Sequence, residues 1–244
     1  EGTGSTYITA AYQNQGDTHQ MLGGTAIIPT ILNSISAGSG SLCGLSGNSI
    51  KCWGKGSFGR LGNGSTSDNA TPVTVSGISN AASVVTGHRH ACSVLSNGSV
   101  KCWGSGDFGQ LGNRATSDQS TPVSVSGISN ATQVSLGGDH SCARLSDSTV
   151  KCWGYNAYGQ LGDGSTTDRA TPVAVSGISN ATQVAVGQWH SCARLSDSTI
   201  KCWGYNSEGR LGNSSTTTSS TPVTVSGITN AVEVSAGVGT CARL

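Results

Sequence analysis

Short apolar runs alternate with polar, glycine-rich stretches along most of the chain, and this pattern returns every 50 residues. Residues 121–170 contain four short segments, separated by turn residues, that are read as β-strands, and the second of them alternates apolar and polar positions. These segments begin at Thr121, Thr132, Ser141 and Thr149, and the first contains a proline next to its start, as strand ends often do. A glycine-punctuated stretch, residues 154–165, follows the last strand and is predicted to be an ordered loop between repeats.

The repeat is regular enough to define the architecture. Lys-Cys-Trp-Gly begins at residues 51, 101, 151 and 201, and Thr-Pro-Val begins at residues 71, 121, 171 and 221. Four short strands per 50 residues are typical of one blade of a propeller, in which small sheets are arranged radially. The sequence therefore predicts an all-β chain: a β-propeller with about five four-stranded blades, complete or part of a larger ring.

The cysteines support the predicted hairpins. Folding residues 142–152 about Asp147 places Cys142 opposite Cys152, and a two-residue turn at Gly47-Asn48 likewise places Cys43 opposite Cys52. We therefore predict cross-strand disulfides, with zinc ligation and free buried thiols as the alternatives, and Cys241 is left unpaired. Disulfides indicate an oxidising compartment, so the expected location is extracellular or on the cell surface. The predicted pairs are Cys43–Cys52, Cys92–Cys102, Cys142–Cys152 and Cys192–Cys202.

Composition removes several classes of partner. Only 10% of the residues are charged and the formal net charge is +1, so no basic field is available for nucleic acid or an anionic membrane. No apolar run is long enough to span a membrane. Asn-x-Ser/Thr sequons occur at Asn63, Asn69, Asn97, Asn130, Asn180 and Asn213, and they would carry glycan only in a glycosylating host.

Two stretches carry a family resemblance. The segments Gly154-Tyr-Asn-Ala-Tyr-Gly-Gln-Leu-Gly and Gly187-Gln-Trp-His-Ser-Cys-Ala-Arg-Leu resemble the signature of the regulator of chromosome condensation repeat. The resemblance covers residues 36–244 in four copies and a partial fifth, and implies a propeller that usually has seven blades. The founding member of the family is a nucleotide exchange factor for a nuclear GTPase, and relatives include a secreted bacterial inhibitor of β-lactamases. This chain is shorter, rich in cysteine and without an acidic patch or wedge insertion, so the secreted branch is the closer comparison.

The recurring polar and aromatic residues have structural interpretations. His90, His140 and His190 are expected to hydrogen-bond backbone between strands rather than to share a metal ion. The tryptophans of the four Lys-Cys-Trp-Gly motifs are expected to pack between blades. No catalytic residue, metal site or cofactor is predicted, because no known catalytic motif is present. Aromatic residues in the variable loops are the candidate contact residues for a partner, namely Trp189, Tyr155, Tyr158, Tyr205, Phe58 and Phe108.

The two ends depart from the repeat. Residues 1–35 resemble degenerate strands without cysteine, and residues 36–244 hold the repeats. At the other end, Cys241 lies on the third predicted strand of a unit whose fourth strand is absent. Three hypotheses are open: closure of a small ring by the N-terminal segment, pairing of that segment with another protomer, or a fragment of a longer propeller.

The predicted function follows from the fold and the loops. We expect a non-catalytic, secreted or surface-exposed propeller that serves as a rigid protein-binding or structural module. The alternatives are a subunit of an extracellular assembly joined through its terminal strands, and an enzyme inhibitor of the propeller type. An inhibitor is expected to cluster aromatic residues on one propeller face.

Overall fold

The computed structural model describes residues 34–244, which form antiparallel sheets of short strands in chain order. Four sheets have four strands each, and the last described sheet has two. The all-β propeller prediction is confirmed. None of the helical segments among residues 34–244 is long and apolar enough to cross a membrane.

The first two sheets contain strands β1–β8. The first sheet comprises β1 (Ser34–Ala37), β2 (Ser41–Ser46), β3 (Ser49–Gly54) and β4 (Asn69–Thr74), with a 3-10 turn at Ser57–Gly59 between β3 and β4. The second comprises β5 (Val85–Thr86), β6 (His90–Val94), β7 (Val100–Gly104) and β8 (Gln119–Ser124).

The remaining sheets contain strands β9–β18. The third sheet comprises β9 (Ala131–Leu136), β10 (His140–Leu145), β11 (Val150–Gly154) and β12 (Arg169–Ala174). The fourth comprises β13 (Ala181–Val186), β14 (His190–Leu195), β15 (Ile200–Gly204) and β16 (Ser219–Thr224), and the fifth comprises β17 (Glu233–Ala236) and β18 (Thr240–Arg243).

The grouping of strands into blades differs from the sequence prediction. The Thr-Pro-Val strand β8 pairs with β7 of the preceding Cys-Trp hairpin, so it closes that blade instead of opening the next one. The glycine-rich loop of residues 154–165 accordingly lies within a blade, between β11 and β12. The alternating pattern identified the strands, but it holds no information on whether a strand pairs with the hairpin before or after it.

The same regrouping changes the description of both ends. Cys241 was predicted to lie on the third strand of its unit, but it lies on the second strand of its sheet. The described part of this sheet therefore has two strands fewer than the other sheets, and not one fewer. Residues 34–37 form β1 of the first sheet, whereas the rest of the predicted N-terminal segment lies outside the described residues. The roles predicted for that segment, ring closure or pairing with a protomer, stay predictions.

The core lies between the blades. Each of the first three sheets turns its disulfide toward the tryptophan face of the next sheet, because adjacent residues of one strand point to opposite faces. Cys142 and Cys152 of the third sheet therefore pack in one cluster with Trp203 and Ala193 of the fourth. The same arrangement joins the first sheet to the second and the second to the third. Blade-to-blade packing of the tryptophans is confirmed for Trp103, Trp153 and Trp203, and Trp53 on the outer face of the first sheet is half-buried.

The four predicted disulfides are present in the structure, each between directly opposed residues of a hairpin. Each closes a loop of about ten residues, which corresponds to about 2–3 kcal/mol in the chain-entropy account of disulfide stabilisation. Cys241 is the one free and exposed cysteine.

Candidate functional site

The loops that carry the candidate aromatic residues leave each sheet at the same end. His190 pairs with Gly204, so the loop that precedes β14 and the loop that follows β15 meet at one edge of the sheet. His140 and Gly154 are paired in the same way in the third sheet. Trp189 and Tyr205 are consequently neighbours in space although they are separated in sequence.

Five of the six candidate aromatics form one continuous cluster, which we call the aromatic strip: Phe108, Tyr155, Tyr158, Trp189 and Tyr205. Ring centroids are 4.9 Å apart for Phe108 and Tyr155 and 4.8 Å apart for Tyr158 and Tyr205. Trp189 meets Tyr205 edge to face at 5.6 Å. These separations and tilts are the favourable ones for aromatic pairs, so the rings hold one another in place.

The sixth candidate, Phe58, lies outside the strip. Its ring is flanked by two guanidinium groups, those of Arg60 and Arg89, each 5.5 Å from the ring centroid. Arg89 also forms an ion pair with Asp139 at 2.8 Å. Desolvation by burial, followed by the charge of Arg89, lowers the pKa of Arg60. Phe58 therefore belongs to a cationic group on the first two blades, separate from the five-ring cluster.

Buried asparagines make the tyrosine loops rigid. The Asn156 side chain is fully buried, and its Nδ2 donates to the carbonyls of Ser165 and Thr167 at 3.1 and 3.0 Å. Its Oδ1 accepts from the Leu161 backbone N–H at 2.9 Å. Asn206 makes the equivalent bonds in the next blade. A loop fixed by a saturated buried amide presents its side chains with little conformational freedom left to lose on binding.

These asparagines were not identified from the sequence. The available signal was the replacement of Gly56 and Gly106 by Asn156 and Asn206, in the two repeats that also carry a tyrosine immediately before. Only the structure shows that this amide bonds both sides of its loop, because the carbonyls it contacts lie about ten residues further along the chain.

The recurring histidines are structural, although their partner differs from the expected one. His140 Nε2 lies 2.9 Å from the Ser191 hydroxyl of the next blade, not from backbone. Ser191 donates its own proton to the Gln160 carbonyl, so Nε2 carries the proton and donates to the hydroxyl oxygen. His90 and His190 make the same contact with Ser141 and Thr240.

This geometry gives the His–Ser pairs no catalytic capacity. His140 and Ser191 are both fully buried, and the imidazole nitrogen that faces the hydroxyl is already protonated. Nδ1 is buried without a hydrogen-bond partner, so protonation there is disfavoured. Desolvation by burial lowers the pKa of His140 to about 3. Among residues 34–244, no cluster of three or more His, Cys, Asp or Glu side chains is arranged to bind a metal ion.

Family models match most of the chain. The Regulator of chromosome condensation (RCC1) repeat model matches residues 52–94, 97–144, 148–194 and 202–244. The chain belongs to the RCC1 repeat family. A second RCC1 repeat model matches residues 81–110, 131–160 and 181–210, which include all five residues of the aromatic strip. A search of curated proteins finds no match to this RCC1-repeat chain.

Solved structures show the same fold. Human WBSCR16 superposes with a TM-score of 0.78 at 22% identity over 93% of this RCC1-repeat chain. Prp20p from Saccharomyces cerevisiae, described with its binding to Gsp1p and histones, gives 0.75 at 18% identity over 86% of the chain. The chain spans 60% and 54% of the lengths of these two proteins. The CRINKLY WD40 ectodomain of the Arabidopsis thaliana receptor kinase ACR4 gives 0.52 at 19% identity, over 99% of this chain and 67% of that one.

Proposed function

We propose that this RCC1-repeat propeller is a non-catalytic, secreted or surface-exposed protein-binding module whose contact surface is the aromatic strip. The fold supports a protein-binding role, since the relative Prp20p is described with protein partners. The four disulfides support an oxidising location outside the cytoplasm.

The observation that carries the proposal is that the fold does not require aromatic residues at the positions of the strip. The loop position held by Tyr155 and Tyr205 is held by Ser105 in the second blade, and the position of Trp189 is held by Asp139 in the third. The sheets, disulfides and buried tryptophans are alike in all these blades. Large rings gathered where small or charged residues serve the fold equally well are typical of an interface.

The chemistry of the strip fits a protein partner. Its five rings are half-buried. The Tyr155 N–H donates to the Asp139 backbone carbonyl at 2.9 Å, which places the partly exposed ion pair of Asp139 and Arg89 beside one end of the strip. Aromatic anchors surrounded by a polar rim are the usual arrangement of a binding hot spot. Rigid tyrosines and tryptophans supply contact area at a small entropic cost.

The direct test compares two variants of the full chain on a resin. The strip variant Tyr158→Ser/Trp189→Ser removes two central rings, and the control variant Val232→Ser changes an exposed apolar residue outside the strip. Secreted and surface proteins of the source cells are passed over both and over the unmodified chain. We expect at least one protein to bind the unmodified chain and the control but not the strip variant. Equal retention by all three would contradict the proposal.

A second candidate function is inhibition of an enzyme, and the clustering of five aromatic rings on one face favours it. In this case the strip would cover the active-site entrance of a secreted hydrolase. Titration of a β-lactamase panel with the unmodified chain and the strip variant tests the idea. Inhibition that is lost in the strip variant would support it, and full enzyme activity at a large excess of the chain would contradict it for those enzymes.

The assembly-subunit alternative has a simple readout. Size-exclusion chromatography and negative-stain imaging distinguish monomeric discs, expected for the binding module, from filaments, expected for a subunit joined through its ends. Filaments would favour the assembly subunit over the monomeric module.

A further inference from the structure

Backbone hydrogen bonds hold the loops of the aromatic strip within their own blades. The N–H groups of Tyr155 and Tyr205 each donate to a carbonyl of the neighbouring loop of the same blade at 2.9 Å. The N–H groups of Phe108 and Tyr158 donate to the glutamine side chain two residues further along, at 2.9 and 3.0 Å. Addition of a partner strand requires free main-chain groups, so at these four residues recognition is left to the side chains.

The polar atoms of the strip's side chains are unpaired within the described part of the chain. Four side-chain donors form no hydrogen bond within residues 34–244, and none of them is sealed in the interior: Trp189 Nε1 and the hydroxyls of Tyr155, Tyr158 and Tyr205. An indole N–H can only donate and a phenol donates readily, so the strip combines apolar ring faces with several hydrogen-bond donors. A ligand that fits it brings acceptors, such as backbone carbonyls, next to small apolar groups.

The rings of the strip are tilted against one another and are not coplanar. The smallest of the five interplanar angles is 52°, between Tyr158 and Trp189, and the largest is 88°, between Trp189 and Tyr205. Tilted rings form ridges separated by clefts, whereas a sugar ring packs best on one broad, flat face. Narrow apolar side chains fit such clefts, as they do in the aromatic-lined grooves that bind proline-rich segments.

The strip offers a ligand no net charge. Asp139, whose carbonyl accepts the Tyr155 N–H, is ion-paired with Arg89 at 2.8 Å, so these two charges cancel. Desolvation by burial raises the pKa of Tyr155 above its ordinary value of 10.0, so this phenol keeps the proton that it can donate. A strongly acidic or basic ligand therefore gains little here, and an uncharged ligand is favoured.

We propose that the aromatic strip binds a proline-rich segment of a partner protein in the polyproline II conformation. This inference rests on the proposed function and states the chemistry of the partner. Proline rings occupy the clefts between the tilted aromatic rings, and the carbonyls of the segment, which make no internal hydrogen bonds, accept from the tyrosine hydroxyls and Trp189 Nε1. Proline has no N–H, so the segment brings few donors to a surface that is itself rich in donors. Both surfaces are ordered before they meet, which lowers the entropic cost of binding.

The test uses the full 244-residue chain and a fluorescently labelled peptide of ten prolines. Ten prolines span about 31 Å, long enough to cross five rings whose contacting centroids are at most 6.2 Å apart. In the control peptide, every second proline is replaced by glycine. By fluorescence anisotropy, we expect saturable binding of the proline peptide, at least tenfold tighter than that of the control. Equal binding of the two peptides, or no saturation by about 1 mM chain, would overturn the proposal.

Two further conditions separate this ligand from charged and carbohydrate ligands. The affinity for the proline peptide is expected to change less than about twofold between about 50 and 500 mM NaCl, because no charge pair forms. A loss of more than about tenfold would contradict an uncharged interface. Cellohexaose, a neutral glycan, is expected not to bind. Strip-dependent binding of cellohexaose in place of the peptide would assign the strip to carbohydrate and overturn the proposal.

Variants of the chain locate the site. Tyr158→Ser is expected to weaken binding at least tenfold, whereas Phe58→Ser, at the same loop position but outside the strip, is expected to bind as the unmodified chain does. Tyr158→Phe keeps the ring and loses the hydroxyl, so binding is expected to weaken about two- to tenfold. Equal effects of the two serine variants would contradict the assigned site, and unchanged affinity in Tyr158→Phe would contradict the assigned hydrogen bond. Circular dichroism confirms folding, and the peptide pair remains decisive if Tyr158→Ser is unfolded.

Failure of this inference differs from failure of the proposed function. Strip-dependent capture of a secreted protein, together with no binding of the proline peptide, would overturn the proline-rich partner and leave the binding module intact. Strip-dependent binding of the peptide without any captured protein would contradict the binding module in the source cells and support the proline-binding chemistry of the strip.

Discussion

Acidification is expected to destabilise the propeller through its buried histidines. Desolvation by burial lowers the pKa of His90 and of His140 to about 3, and that of His190 to about 4. In the unfolded chain these groups titrate near the ordinary value of 6.5, so the unfolded state binds more protons below that pH. The free energy of unfolding therefore falls as the pH drops from about 6.5 toward the folded pKa values.

The magnitude follows from the gap between the two pKa values. Between pH 7 and pH 4.5, a histidine with a folded pKa near 3 and an unfolded pKa near 6.5 loses about 2.5 kcal/mol of stabilisation. Carboxylates with lowered pKa values, such as Asp163, lose their contribution at lower pH, because their unfolded value is 3.8. The interval from pH 6.5 to 4.5 thus isolates the histidines from these acids.

The assay is urea unfolding of the disulfide-intact chain at pH 7 and pH 4.5, in parallel with the variant His140→Gln. The variant is expected to be less stable at pH 7, because glutamine replaces the imidazole packed against Ser191. It lacks the titrating group, so the stability difference between the two proteins is expected to shrink by about 2.5 kcal/mol at pH 4.5. A difference that is the same at both pH values would refute the argument that His140 is neutral in the folded chain.

Three further predictions concern the junctions and hairpins. Gly162→Ala places a Cβ atom 2.7 Å from Trp203 Nε1 and is expected to lower the melting temperature clearly more than the control Gly177→Ala does. Gly177 has a similar φ of +65°, but no atom lies within 4 Å of the Cβ position there, so thermal melts of the two variants separate the clash from the backbone strain. Trp203→Phe removes the indole donor to the preceding blade and is expected to cost about 1–3 kcal/mol in urea unfolding; an unchanged midpoint would contradict that bond's importance. The double variant Cys142→Ser/Cys152→Ser is expected to lose about 2–3 kcal/mol of its free energy of unfolding while keeping the native circular dichroism spectrum. Loss of the fold would contradict this expectation, because it would mean that the propeller cannot form without this one disulfide.

The sequence was informative where an element is defined by its nearest neighbours in the chain. The direct pairing of Cys142 with Cys152 across the hairpin could be predicted, because the register of a hairpin is fixed by the length of its turn. The pairing of β8 with the preceding hairpin could not, since a strand pattern is equally compatible with either neighbour. A repeat with four strands can be divided at more than one point.

The residues of the candidate site could be predicted from the sequence, but the distances between their side chains could not. Loop position and residue type were enough to select Trp189, Tyr158 and Tyr205 as contact candidates, and the structure brings their rings together. Their mutual distances depend on the rotation between blades, which no local pattern encodes. Phe58 has the same loop position as Tyr158. It lies outside the strip because Ser105 stands where Tyr205 contacts Tyr158, and its ring is flanked by arginines instead.

The opposite chemistry of the two sides of each sheet has an evolutionary consequence. Because each of the four described four-stranded blades offers a disulfide on one side and a tryptophan on the other, any of these blades can follow any other in tandem. Gain or loss of a whole 50-residue unit by recombination would rejoin matching surfaces and leave the hydrophobic layers intact. Such a lineage can change the number of its modules without redesigning a single contact, while the loops at one rim are free to diversify.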